Sequence, residues 1–463
     1  MKGMSGAIMK KQYTIDMCSG ALAPKILIFA LPLMAATVLQ LTFNLADVIV
    51  VGKFAGDLSQ AAVTSTTSLI NLLLSIFLGL SGGINVVVAR ALGAGKLDKA
   101  KDVVHTCVLL GVVCGIALGA AGILAAPALL TLMKSPANVI GLSITYLRIY
   151  FIGIPATVVY NFASPILQAN GDTRRPLYFL SLAGVINVVL NLVFVIRFHM
   201  GVAGVAIATA VSQWVSALLV IRCLMGEGGP LHLDLRGLYI KGNVLGEIVR
   251  IGIPAGLQSS LFSLANVVIQ SYINSLGETV MAGSGAASTI ETICFRVGTA
   301  FFHAATSFVS QNYGARRLDR VDRSFLWCEA YTIMCGLLMA AVTIPFGPAL
   351  LRLFTDSPEV AAQGMIRMRY VVTLVCLGGA MDVCTATLRG LGWSVLPMFV
   401  TLAGVCGVRL IWVSTVFRAD PTPENIYIAY PISWAVTAGA HMITLFVARR
   451  RAKRAFAAEE TAC

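Results

Sequence analysis

Along the 463 residues, apolar side chains gather into long uninterrupted blocks separated by short segments carrying charge, Gly and Pro. A helix crosses the hydrocarbon core of a bilayer with about 20 predominantly apolar residues, and each block is long enough to do so. The pattern predicts twelve spanning helices, at 26–52, 61–90, 104–126, 143–169, 177–198, 203–224, 247–273, 281–310, 325–346, 366–391, 395–417 and 426–448. The longest polar stretch between blocks, GEGGPLHLDLRGLYIKGN at 226–243, divides them into six and six. The expected organisation is therefore a cytoplasmic tail at 1–25, a first lobe at 26–225, a cytoplasmic linker at 226–246, a second lobe at 247–448 and a basic cytoplasmic tail at 449–463.

The halves resemble each other at an offset of 220–222 residues. PALLTLMKSP at 127–136 returns as PALLRLFTDSP at 348–358, and RALGAGKLDKA, which ends the second span, returns as QNYGARRLDRV at the end of the eighth. Pro32 matches Pro254, Asn44 matches Asn266, Arg148 matches Arg369, Gly171 matches Gly392 and Pro176 matches Pro397. Six spans per repeat is an even number, so both halves enter the membrane in the same orientation. Such a parallel repeat predicts a pseudo-two-fold axis along the membrane normal and a binding site near the midplane.

Composition agrees with this reading. Apolar residues make up 57% of the chain and charged residues only 12%, where a soluble domain carries roughly 25%. A net charge of +13 raises the question of nucleic acid, but the basic residues form no single patch and no nucleic-acid partner is expected. They sit in alternate connections, such as Lys96, Lys99 and Lys101, Arg174 and Arg175, Arg316, Arg317, Arg320 and Arg323, and the closing Arg449, Arg450, Arg451, Lys453 and Arg454. The other connections carry Asp57, Glu278, Asp356, Glu359, Asp420 and Glu424. By the positive-inside rule the basic loops and both termini are expected in the cytoplasm. Eleven cysteines without a CxxC pair read as small buried residues, and the first twenty residues lack the short apolar core of a removable signal peptide.

The informative positions are polar residues inside the blocks, since a carboxylate at mid-membrane costs at least about 2.5 kcal/mol and needs a partner or a cavity. In the first span Gln40, Asn44 and Asp47 fall on one helical face, and Pro32, fifteen residues before Asp47, removes a backbone hydrogen bond and creates a candidate hinge. The fifth span places Asn187 and Asn191 one turn apart, and the sixth contributes Thr209. Packed together, these groups would surround a small hard cation or a proton on Asp47; packed apart, the asparagines would serve as interhelical glue. The second half carries Ser259, Ser263, Asn266 and Gln270 on the seventh span, Glu291 and Arg296 in the eighth, Asp382 in the tenth and Arg409 in the eleventh. Gln40, Asn44, Asn266, Gln270, Glu291 and Asp382 are the expected polar lining of a cavity; the alternative for the charged ones is structural ion pairing, Glu291 with Arg296 and Asp382 with Arg409. His303 and His441 read as core groups, and Gly111, Gly115 and Gly119 as a helix-packing face.

No HExxH, GxSxG or GxxxxGK[ST] pattern is present, so neither a common membrane hydrolase nor an ATP-driven pump is indicated. The expectation is a non-enzymatic protein without a bound cofactor, and a secondary transporter requires neither. These residues resemble the multidrug and toxic compound extrusion (MATE) family of the multidrug/oligosaccharidyl-lipid/polysaccharide flippase superfamily. The match runs through Pro32, Asp47 and Gly52, VARALGAGK, SQNYGAR, LQANGDTRRP, LRGLGWSVLP and GVAGVAIAT, and covers essentially the whole chain.

The resemblance implies an all-α polytopic protein of two six-helix lobes in a V, which exports cationic or amphipathic organic compounds in exchange for sodium or protons. Asp47 then corresponds to the family's cation-responsive acid, Pro32 to its kinking proline, and Asn187, Asn191 and Thr209 to neighbouring ligands. Many members carry an aspartate at the position of Asn191, so one acid remains here where two are common. In the second half Phe262 replaces a glutamate used by some members, and Gly378 an aspartate, with Asp382 one turn further along. The expected partners are a small organic substrate and the lipid bilayer, with the monomer as the working unit in a bacterial cytoplasmic membrane. Two other functions fit the same residues: a flippase or exporter of a lipid-linked or other endogenous metabolite, and a non-transporting sensor or scaffold, in which the intramembrane acids would tolerate substitution.

Overall fold

A computed structural model describes residues 13–133 and 136–462, apart from the side chains of residues 460 and 462. Residues 1–12 of the expected cytoplasmic tail, residues 134 and 135 of the first PALL repeat, and residue 463 lie outside the described residues. No strand occurs among those described. Twelve long helical segments run in order: α1 Leu22–Ala55, α2 Asp57–Gly93, α3 Leu97–Leu132, α4 Ala137–Ala169, α5 Arg174–Arg197, α6 Gly201–Gly226, α7 Gly242–Asn274, α8 Glu278–Gly314, α9 Leu318–Thr343, α10 Pro358–Gly390, α11 Val395–Phe417 and α12 Pro423–Glu459. Eleven are both long and apolar enough to cross a membrane; α8 has the length, but Gly, Ser, Thr, Glu291 and Arg296 dilute its apolar residues.

Most helices outrun the apolar blocks that predict them, because the termini are stopped by backbone chemistry rather than by the end of hydrophobicity. The N-terminus of α10 shows how. Ser357 accepts a hydrogen bond from the Val360 amide and Pro358 occupies the first turn, where its missing N–H costs nothing. At the other extreme α9 ends at Thr343, two residues before Pro345, earlier than the apolar run.

The repeat is visible in the backbone. Gly171 and Gly392, matched by the sequence offset, both adopt left-handed φ, at 85° and 88°. At the turn after α2 the left-handed position is Gly95; its counterpart after α8 is Arg316, at φ 58°, so the turn is retained where the glycine is not.

Contacts divide the chain into two units. Among the described residues, 13–16 group with Ala35–Gly252, and Met17–Met34 with 253–462. Two of the divisions therefore fall inside α1 and α7, within two residues of Pro32 and Pro254. In the first unit the glycine stripe of α3 lies on α4: a side chain at Gly111 would touch Phe162, one at Gly115 would meet the Pro155 backbone, and one at Gly119 the Phe151 carbonyl. Leu231 and Leu233 of the linker are buried against this unit, so the linker is packed rather than free. In the second unit Arg320 donates to the carbonyls of Met17, Ser19 and Gly20, Asn312 donates to the Met17 carbonyl, and Phe29 packs edge-on to Phe308. The exposed surfaces are rich in Leu72, Leu124, Leu264, Ile411 and Ile443, the arrangement expected where lipid and not water is the neighbour.

Candidate functional site

In the first unit the helices α1, α5 and α6 bring together the four residues predicted to handle a cation or proton. Asn191 Nδ2 donates to Asp47 Oδ1 and, at 3.3 Å, to Asn187 Oδ1; Asn187 Nδ2 in turn reaches Thr209 Oγ1 at 3.4 Å. The helical step explains the order: Asn187 and Asn191 are four apart on α5 and share a face, with α1 on one side and α6 on the other. Asn191 is fully buried and Asn187 nearly so, whereas Asp47 is half-buried. One buried acceptor in the group, Asn191 Oδ1, has no hydrogen-bond partner. Carboxylate, amide and hydroxyl oxygens are the donor types that suit a small hard cation, and a lone carboxylate also suits a proton. Gln40 and Asn44, on the same stripe of α1, are exposed and take no part in the cluster.

The second unit departs from the predicted pairing. Glu291 does not meet Arg296; its Oε2 accepts from Arg367 Nε at 3.0 Å and Nη2 at 2.8 Å, while Arg367 Nη1 donates to Ser284 at 2.8 Å. Five residues along a helix are 140° around it, so Glu291 and Arg296 point to different sides of α8, and Arg296 is exposed. Arg409 does not pair with Asp382 either. Its guanidinium reaches α7 and α12, donating to Asn266 Oδ1 and Ser433 Oγ at 2.9 Å each, and not α10, where Asp382 sits half-buried with no ion pair among the described residues. Gln270 donates to Asn274 Oδ1 at 2.9 Å on its own helix. His441 is buried with Nε2 between the hydroxyls of Thr385 and Thr401, at 3.2 and 3.0 Å.

Two arginines of importance escaped the sequence reading. Arg367 falls at the edge of the apolar block beginning at 366 and so resembles a loop charge. The start signal at Ser357 and Pro358 begins α10 nine residues before Arg367, so Arg367 lies within the helix and is buried inside the unit. Arg389, near the end of α10, donates to Gln258 Oε1 at 2.9 Å and lies over the Phe302 ring.

Outside the spans, the linker is tied to the start of α3 around a cavity of about 330 Å³ lined by Asp98, Lys101, Asp102, His105, Asp234 and Tyr239. Tyr239 donates its hydroxyl to Asp102 at 2.5 Å and stacks on His105. That hydrogen bond, with further help from partial burial, pushes the phenol up to about 12. At the α4–α5 turn, Asp172 accepts from the Arg174 and Arg175 amides, and the Arg175 side chain joins Asp172 to Glu227.

Comparison with known proteins places the chain in a family. The chain is 29% identical over 378 residues to the probable multidrug resistance protein YpnP of Bacillus subtilis, covering 81% of this chain and 84% of the relative. It is 25% identical over 393 residues to an FAD transporter of Shewanella oneidensis, covering 82% of this chain and 84% of that protein. Its fold superimposes with a TM-score of 0.87 on the outward-facing conformation of a multidrug resistance MATE family transporter of the MOP superfamily, at 23% identity and over 95% and 98% of the two chains. The MatE family profile matches twice, at residues 32–193 and 254–413, so each match begins at a repeat-related proline and ends in the fifth span of its half. This multi-pass, all-helical membrane protein belongs to the MatE family, whose members are transporters.

Proposed function

We propose that the protein is a secondary active antiporter that exports cationic or amphipathic organic compounds in exchange for H⁺ or Na⁺, working as a monomer in a bacterial cytoplasmic membrane with both termini in the cytoplasm. The observation that carries this reading is the hydrogen-bonded set of Asp47, Asn191, Asn187 and Thr209 within otherwise apolar helices. A carboxylate there is costly unless it is neutralised or coordinated, so proton or cation binding changes the stability of whichever state holds it most tightly. In our scheme substrate leaves from the outward-open state, and the coupling ion then binds at Asp47 and favours return to the inward-open state. Asn191 Oδ1 supports a place for the ion, since a rotation of the amide would turn that unpartnered oxygen toward Asp47. The names of relatives such as YpnP support a multidrug substrate range.

The test uses proteoliposomes with imposed proton or sodium gradients and a panel of organic cations. Efflux should follow one of the gradients and should fall at least about tenfold in Asp47→Asn, whose side chain matches the carboxylate in shape but not in charge. Gradient-driven transport at the parental rate in Asp47→Asn sinks the coupling proposal. A second reading, export of an endogenous metabolite, draws on the similarity to the FAD transporter; uptake of FAD by everted vesicles, with no efflux of organic cations, would favour it.

A further inference from the structure

The cation cluster of the first half uses α1, α5 and α6. Their repeat counterparts are α7, α11 and α12, and in the second half these three helices converge on a guanidinium instead of a carboxylate. Arg409 of α11 is 1% exposed. Its Nε donates to Ser433 of α12 and its Nη1 to Asn266 of α7, the repeat partner of Asn44. Its Nη2 is buried without a hydrogen-bond partner, and no acidic side chain forms an ion pair with it among the described residues. Around it stand three aromatic rings, with centroids at 4.1 Å for Tyr430, 5.5 Å for Phe262 and 5.9 Å for Trp434. Trp434 is itself 3% exposed, and its indole Nε1 is also buried and unpartnered.

Both open groups are N–H donors, and neither guanidinium nor indole can accept. A ligand that satisfies them must therefore bring acceptor oxygens, and one that offsets the buried guanidinium must bring negative charge. A carboxylate or phosphate does both, and Arg presents it with planar, charge-assisted hydrogen bonds. The surrounding rings suit an aromatic body attached to that group better than a bare ion. We propose that α7, α11 and α12 form an anion subsite that binds the acidic group of an aromatic organic anion, with Arg409 and Trp434 as the donors. The two halves then hold binding positions of opposite charge in equivalent helices, and the substrate range extends from organic cations to aromatic anions. This extends the antiport reading by naming a substrate class, and its test requires no gradient, so a failure of coupling at Asp47 leaves it standing.

Fluorescein, an aromatic carboxylate, serves as the probe and ethidium as the cationic control, with binding to the purified full-length protein in detergent measured by fluorescence anisotropy. Arg409→Gln should weaken fluorescein binding at least about tenfold and leave ethidium within about twofold, while Arg409→Lys should fall between parent and Gln. Inorganic phosphate should compete weakly and phosphatidylglycerol not at all at the fluorescein concentration used. Because Arg409 also bridges α7 and α12, Trp434→Phe provides a second variant, expected to lose about threefold or more for fluorescein alone and to diminish the tryptophan quenching that fluorescein causes. The proposal is overturned if the parent shows no saturable fluorescein binding, if both variants bind fluorescein as the parent does, if both probes are lost equally, or if phosphatidylglycerol or phosphate displaces fluorescein as well as fluorescein itself does.

Discussion

Replacing Glu291 by Gln should destabilise the second unit far more than removing a surface charge, and the geometry sets the size. The two side chains of the Glu291–Arg367 pair are 16% and 6% exposed, and the carboxylate accepts two charge-assisted hydrogen bonds, at 2.8 and 3.0 Å. After the change the neutral amide oxygen can still accept from Arg367, but the guanidinium charge is left with neutral partners alone: that oxygen, Ser284 and the faces of Tyr427 and Tyr430, whose centroids lie 5.7 and 5.5 Å from its guanidinium carbon. Breaking a buried pair by removing one partner costs about 3–5 kcal/mol, because the remaining charge is stranded. For a unit of this size each kcal/mol moves the midpoint by about 2–4 °C, so a fall of about 10 °C is expected. The assay is thermal unfolding in detergent, read by a thiol-reactive dye at buried cysteines such as Cys294 of α8. Glu291→Leu combined with Arg367→Met removes both charges and should return to within about 1 kcal/mol of the parent. Arg296→Gln, on the exposed face of the same helix, should change stability by about 0.5 kcal/mol or less. The reasoning is refuted if Glu291→Gln shifts the midpoint by less than about 2 °C, or if the double variant melts below Glu291→Gln.

Three further outcomes follow from the packing. Gly115→Leu should cost about 2–3 kcal/mol in the same melting assay, because its Cβ would stand 2.6 Å from the Pro155 Cα, a backbone atom that cannot swing aside; Gly141→Ala, with open space around it, should be near neutral. Gly171→Ala should lower stability by about 1–2 kcal/mol, since φ is 85° there and the Ile15 backbone occupies the space a methyl needs; a midpoint unchanged from the parent would contradict the geometry. The Tyr239–Asp102 contact stabilises the linker fully below pH about 10, the ordinary tyrosine value, and loses that contribution as pH rises through about 12, because the folded phenol holds its proton more tightly than the unfolded one. Comparing melting midpoints of the parent and Tyr239→Phe from pH 8 to 12 checks this: the gap between them should close with rising pH.

Hydrophobic block length alone located the twelve helices, and the internal offset located the repeat, because both depend only on local chain chemistry: 1.5 Å of rise per residue against a fixed bilayer thickness, and side chains that recur at fixed spacing. The Asp47 cluster was legible for the same reason, since Asn187 and Asn191 share a face by helical periodicity and Asp47 is conspicuous in an apolar run. What tertiary structure alone decided is which charges meet. Glu291 turned to Arg367 on another helix, because i and i+5 cannot face each other, and Arg367 lies in the interior because the Ser357 cap starts α10 well before it. Arg409 found an amide, a hydroxyl and aromatic rings rather than Asp382. Partner choice depends on the rotation of each helix about its axis and on which neighbours it packs against, and these are set by the close packing of many side chains, such as the glycine face of α3 on α4, and not by any one segment.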